Sequence, residues 1–266
     1  FTPNDAAQSV AIAKLLKETG IKYVIPIYRN DPWGKGLAGG VKNEFKKIGG
    51  TADDGIPYSI EKKEFSLEVA TLKDKVQAAL SQYSKSEIGI SLIAFEEAAA
   101  IIKEATKYSI LREVRWYGSD GTADSAELTK DSEVAQFCYD TKFINTITAS
   151  LEENEITKKV KNYIMQKYNR EPDSYTYNIY DSFWVLFYSL LKVGEYNPTK
   201  VKQVLPDVAK NYIGASGPIS FEPSGDRVPV AYEIRAIDIV GGQYKWISAG
   251  KYIHSTGEVR LLDRYK

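Results

Sequence analysis

A chain of 266 residues with 35 basic and 35 acidic side chains carries no net field that would gather nucleic acid or an anionic membrane, and it can bury a sizeable core as one large α/β domain or two smaller lobes. No run of apolar residues approaches the ~20 needed to span a bilayer, so direct membrane insertion is not expected. The lone cysteine, Cys138, rules out an internal disulfide and leaves the redox compartment unread.

In chain order, Phe1 stands first with no basic or apolar leader behind it, so a processed or trimmed chain is expected. Ala6, Val10, Ala13 and Leu16 then fall at helical spacing over 5–19, with Asn4 or Asp5 to cap the helix and Gly20 to end it. The apolar run 23–28 has strand length, although Pro26 cannot donate to a ladder and requires an open side or a bulge there. A helix over 33–48 is stopped by Gly49 and Gly50, and 51–58 is a weak strand. The segment 67–81 places Val69, Leu72, Val76, Ala79 and Leu80 on one helical face. Residues 88–93 read as a buried strand, 96–108 as a helix, and 114–118 and 134–143 as two more strands. This alternation implies an α/β fold with a parallel sheet, since parallel neighbours need a crossover and the crossover is usually a helix. Ligands of such sheets sit beyond the carboxyl ends of the strands, which singles out the residues following Tyr28, Ile93 and Gly118.

The pattern then changes to three helices in succession, over 153–170, 175–193 and 198–212. The middle one carries Tyr180, Phe183, Trp184, Phe187, Leu190 and Leu191 on a single stripe, a face wide enough to require a cover. Around Gly241 and Gly242, the alternating segments 230–240 and 243–247 signal a hairpin.

Catalytic signatures are scarce. Neither a G-x-S-x-G elbow nor a P-loop is present, and His254 has no second imidazole or cysteine cluster with which to make a metal site. Glu96 and Glu97 open a helix, where carboxylates commonly answer the dipole rather than act as acid and base. Gly34, Gly36 and Gly39 match G-x-G-x-x-G, with Asp53 and Asp54 about twenty residues on. A dinucleotide fingerprint has its first glycine turning directly off the strand, whereas 29–33 intervene here and the glycines fall inside a helix. No catalytic residue, cofactor or metal is therefore expected.

The ordered set of segments resembles the leucine/isoleucine/valine-binding family of ABC-transporter solute receptors, the type I periplasmic binding proteins. Thr2-Pro-Asn-Asp-Ala-Ala-Gln8 looks like the family's lead into its second lobe, and Asp31-Pro-Trp-Gly-Lys-Gly-Leu37 is similar to its strand-end loop, with Trp33 in place of the usual Tyr. Glu64-Phe-Ser66, Tyr117-Gly-Ser-Asp-Gly121, Arg170-Glu-Pro-Asp173 with Tyr180-Asp181, and Gly217-Pro-Ile-Ser-Phe221 with Gly225-Asp-Arg227 follow in the family's order. The resemblance implies one α/β lobe over 1–143 and 230–266 and the helical part of a second lobe over 144–229, with that lobe's amino-terminal sheet missing. The stripe from Tyr180 to Leu191 would be the face made for that sheet.

The same resemblance implies a protein that grips a small ligand, an amino acid or similar amine, between lobes and hands it to a membrane permease. Trp33 would pack on the ligand, and Asp120, where the family usually has Glu, would receive its ammonium group. Ala94 falls where the family often has Tyr, so either Phe95 replaces that ring or the pocket is larger. A periplasmic or extracellular location is implied, with lipid anchoring through a missing amino terminus. Two rival readings remain: the extracellular sensing domain of a signalling protein, and an NAD-binding oxidoreductase.

Overall fold

The structure, a computed structural model, describes residues 1–266 and divides them into two compact units. The sheet-bearing unit comprises Asp5–Ile147, Glu233–Tyr252 and Thr256–Lys266, and the helical unit comprises Phe1–Asn4, Thr148–Tyr232 and Ile253–Ser255. Residues 144–147 thus fall with the sheet, and 253–255 with the helices, where the His254 N–H donates to the Val230 carbonyl.

The sheet-bearing unit begins with α1 (Asp5–Glu18), β1 (Tyr23–Arg29), α2 (Pro32–Lys47), β2 (Thr51–Ala52), β3 (Ile56–Tyr58) and α3 (Ser66–Ala79). It continues through β4 (Ile88–Ile93), α4 (Ala98–Ala105), α5 (Ser109–Arg112), β5 (Arg115–Gly118), α6 (Glu127–Lys130), α7 (Ser132–Asp140) and most of β6 (Ile144–Ala149), whose last two residues fall with the helical unit. The helical unit holds α8 (Glu155–Tyr168), α9 (Ser174–Val193), α10 (Pro198–Lys210) and the short pair β7 (Ile213–Gly214) and β8 (Gly217–Pro218). The chain closes with β9 (Ala231–Val240), β10 (Gln243–Ile253) and β11 (Glu258–Leu261). Strand order in the large sheet is β11-β10-β9-β6-β5-β4-β1-β2, with β3 also on β1, and β1, β4, β5 and β6 pair in parallel.

Burial explains the largely apolar sequence of β4, interrupted only by Ser91, in which every residue is buried because helices cover both faces of the sheet. On one face Ile90 and Leu92 pack with Val69, Leu72 and Val76 of α3, and on the other Val24 and Ile93 pack with Leu16 of α1 and Val41 and Phe45 of α2. The glycines of α2 serve this packing. A Cβ on Gly40 would stand 2.1 Å from the Ser9 hydroxyl of α1, and one on Gly34 would stand 2.2 Å from the Arg29 carbonyl. Gly34, Gly36 and Gly39 all lie within the helix.

Pro26 is accommodated by an open side. On its β4 side β1 pairs without interruption, Pro26 lying opposite Ser91. On the other side the neighbour is broken into β2 and β3 by Asp53–Gly55, and the register gap falls at residues 25 and 26. The missing N–H therefore meets no ladder acceptor.

The segment 134–143, expected as a strand, is instead α7 followed by a turn. Asp131 caps the helix by accepting the N–H groups of Glu133 and Val134, and Val134, Phe137 and Cys138 form its buried face at spacings of three and four. The true strand is β6, residues 144–149, four of which (Ile144, Thr146, Ile147 and Thr148) are β-branched. Cys138 is fully buried on α7, and burial pushes its thiol well above the ordinary value. The hairpin around Gly241 and Gly242 is present, with φ of 61° and 78° at the two glycines, and β10 runs on to Ile253.

In the helical unit α9 turns its small and polar side inward. Its buried residues are Asn178, Asp181, Val185 and Ser189, whereas Phe183 and Leu191 are 60% and 61% exposed and Phe187 is exposed as well. Asp181 is fully buried and accepts the N–H groups of Ala215 and Ser216 at 2.6 and 2.7 Å, together with the Ser216 hydroxyl. That hydroxyl lies 2.8 Å from Arg227, whose buried guanidinium also donates to Asn178 Oδ1 at 2.5 Å and to the Pro218 carbonyl at 3.0 Å. The apolar core around α9 is small, built on Val185, Ala209 and Ile219. Backbone amides of α8–α10 are accordingly expected to exchange with deuterium faster than those of β4 and β5, and equal protection in the two units would contradict this reading.

Candidate functional site

The carboxyl ends of β1, β4 and β5 are neighbours in the sheet, so the turns that follow them share one edge. After β1, Asp31 adopts extended backbone and its carboxylate accepts the Gly34 N–H at 2.7 Å. This caps α2 and sets Pro32 and Trp33 in its first turn. Arg29 donates to the same carboxylate at 2.9 Å and to Glu97 at 2.5 Å. Tyr58 donates to Glu97 at 2.9 Å, and its phenol is pushed up by burial first and by the Glu97 charge second.

The half-buried Trp33 ring stacks on Phe95, which follows β4, with centroids 4.4 Å apart and planes within 7°. The Arg29 guanidinium lies 4.6 Å from the Phe95 centroid. After β5, Gly121 brings the third turn against both rings. A Cβ there would meet the Ala94 carbonyl at 2.5 Å, and Phe95 Cδ1 and Trp33 Cη2 at 2.8 Å each. Asp120, half-buried, directly precedes that glycine. The structure therefore brings Trp33, Phe95 and Asp120 to one place. Ala94 is there too, but its side chain is fully buried and only its carbonyl packs on the turn.

Sequence reading missed Asp5, Arg29 and Glu97. Asp5 was legible only as a helix cap; in three dimensions its carboxyl is raised by burial, then by repulsion from Asp120, while a hydrogen bond from the Trp33 indole acts in the opposite direction. Glu97 was read as a partner of the helix dipole, yet it makes no cap bond and instead ties Arg29 to Tyr58. The arrangement sets an aromatic plate beside two carboxylates, the surroundings that favour a cation.

Burial alone would raise Asp31, but the Gly34 N–H and the Arg29 guanidinium outweigh it and hold the carboxyl below its ordinary value. The sign follows: this stabilisation is present above the ordinary carboxylate pKa and is lost as pH falls through the lowered one. Replacing Asp31 by alanine removes the cap, and thermal or urea unfolding is expected to show a loss of about 1–2 kcal/mol.

A second, smaller hollow lies within the helical unit, lined in part by Ser174, Tyr177, Asn178, Ser216 and Arg227. At about 70 Å³ it is far below the roughly 300 Å³ of a small-molecule pocket and suits ordered water.

The fold is that of the type I periplasmic binding proteins, with one lobe incomplete. It matches a leucine-binding protein of Thermotoga maritima with a TM-score of 0.73 at 19% identity, covering 92% of this chain and 65% of that one. A Desulfitobacterium hafniense ABC-transporter substrate-binding protein in complex with Leu gives 0.67 at 18% identity, covering 92% and 66%. A solute-binding protein of R. palustris in complex with benzoate gives 0.67 at 14% identity, covering 97% and 65%. Residues 1–239 match the family described as receptor family ligand binding region, and the chain belongs to that family. An uncharacterized protein of Methanocaldococcus jannaschii is 27% identical over 271 residues, covering 97% of this chain and 62% of its own length. The chain thus spans about two thirds of the length of these relatives.

Proposed function

We propose that this chain is the larger part of an extracytoplasmic solute receptor that serves an ABC-transporter permease. Its ligand is an amino acid or similar small amine, held at the strand tips against Trp33, Phe95 and Asp120. The observation that carries this reading is the meeting of an indole and a carboxylate turn at Gly121, on the edge where parallel α/β sheets take their ligands. The family, and relatives described with Leu and with benzoate, support a binding role. No helix is long and apolar enough to cross a membrane, which is compatible with delivery to a separate permease.

The exposed stripe of α9 belongs to the same reading. Leu186 and Leu190 also border an apolar hollow of about 900 Å³ with Leu205 and Phe221. We assign this surface to the share of polypeptide that the longer relatives carry and this chain lacks, the amino-terminal sheet of the incomplete lobe.

Calorimetry on the full-length protein with amino acids, their amides and benzoate tests the ligand class. Heat from amine-bearing ligands is expected. Binding of benzoate alone would overturn the amine assignment, and silence across the whole panel would overturn the receptor itself.

A further inference from the structure

At the opposite edge of the same sheet, the segments leading into β4, β5 and β6 border an open hollow of about 600 Å³. Its rim is rich in cations, most of them already neutralised. Arg112 pairs with Asp140 at 2.6 Å, Lys85 with Glu113, and Lys266 with Asp263 at 2.7 Å. Two others have no such counter-charge. Arg115 donates through Nη2 to the Tyr265 carbonyl at 2.7 Å, but its Nε–H is buried without an acceptor. Lys142, in the turn before β6, makes no ion pair and lies close enough to Arg115 and Arg264 to be repelled by both. Burial and those two like charges lower its pKa. Arg264 in turn has a buried Nε–H without an acceptor, and its nearest carboxylate, Asp238, stands 3.9 Å away.

Of these, Arg115 and Lys142 line the hollow without a counter-charge, and the buried Nε–H of Arg115 has no acceptor, a costly arrangement because a buried donor without an acceptor forfeits its hydration. A compact oxyanion in the hollow supplies the missing negative charge, and guanidinium and ammonium groups together suit phosphate. We propose that this hollow is a binding site for a phosphate-type oxyanion, taken up through Arg115 and Lys142 at its rim. The anion is either free or the head group of a phospholipid.

The test titrates inorganic phosphate into the full-length protein at constant ionic strength, with chloride as the balancing ion, and reads calorimetric heat and NMR shifts. A parallel arm uses phosphatidylglycerol vesicles against pure phosphatidylcholine. Lys142→Asn keeps the backbone comfortable, since Lys142 holds a φ of 51° that asparagine tolerates. This variant and Arg115→Gln are each expected to weaken binding by about tenfold or more, as for loss of a charge-assisted bond, while Lys142→Arg retains it. Saturable phosphate binding lost in Lys142→Asn supports a free anion, and vesicle binding lost in the same variant supports a head group. Should Arg115→Gln fail to fold, the two Lys142 variants decide. No response to either probe, or binding unchanged in Lys142→Asn, overturns the proposal.

Discussion

Replacing Asp181 by alanine is expected to destabilise the helical unit by about 3–5 kcal/mol, the scale for breaking a buried charged network. The carboxylate accepts two backbone N–H groups and the Ser216 hydroxyl, none of which has water to turn to once it is gone. Arg227, 5% exposed, would lose the negative charge nearest to it, relayed through Ser216. The apolar core here is too small to absorb such a loss. Gly214→Ala should act on the same network, because a Cβ there would stand 2.3 Å from the Asp181 carboxyl carbon. Unfolding followed by deuterium exchange in α8–α10 checks both variants. A measured cost for Asp181→Ala below about 1 kcal/mol, the ordinary size of a point-mutant effect, would mean that the network does not hold this unit together.

Trp33→Ala is expected to weaken ligand binding by about ten- to hundredfold, which at 1.4 kcal/mol per decade is what a buried aromatic anchor contributes. The loss should exceed that of Phe95→Ala, because Trp33 stacks on Phe95, touches the Gly121 turn and hydrogen-bonds Asp5. Unchanged affinity in Trp33→Ala would remove the strand tips from consideration. The same site has a pH signature. Asp5 has a raised carboxyl pKa in the folded protein, so its own contribution favours the fold at low pH and is lost as pH rises through that raised value. An ammonium ligand reverses the balance by favouring the ionised form. Affinity for such a ligand should therefore fall on acidification, beginning above the ordinary carboxylate pKa, and Asp5→Asn should flatten this slope in calorimetric titrations. A neutral ligand would show no such slope.

Much of the architecture was readable from periodicity. The strand of 88–93, the face of 67–81 and the long aromatic helix all lie where their apolar spacing puts them, and Phe183, Phe187 and Leu191 of the stripe that calls for a cover stand exposed. Periodicity misled at 134–143, where Val, Phe and Cys suggest a strand although their spacing of three and four is helical and Asp131 caps them. At the strand tips, counting along the chain marks the turns after Tyr28, Ile93 and Gly118, while the choice of Trp33, Phe95 and Asp120 within those turns comes from the family resemblance. Asp5 and Glu97 were invisible for the opposite reason. Each sits at a helix start, where a carboxylate has a sufficient local explanation, and only the packing of α1 near Trp33 and of β1 beside β4 gives them distant partners.

Because Cys138 is the sole thiol of these 266 residues and is sealed inside one unit, that unit carries a natural opening gauge. An alkylating probe should remain inert while that unit is closed and react only when α7 lifts away. Labelling rates measured with and without a candidate nutrient would then report how much tighter the sheet region becomes when occupied, with no engineered dye attached.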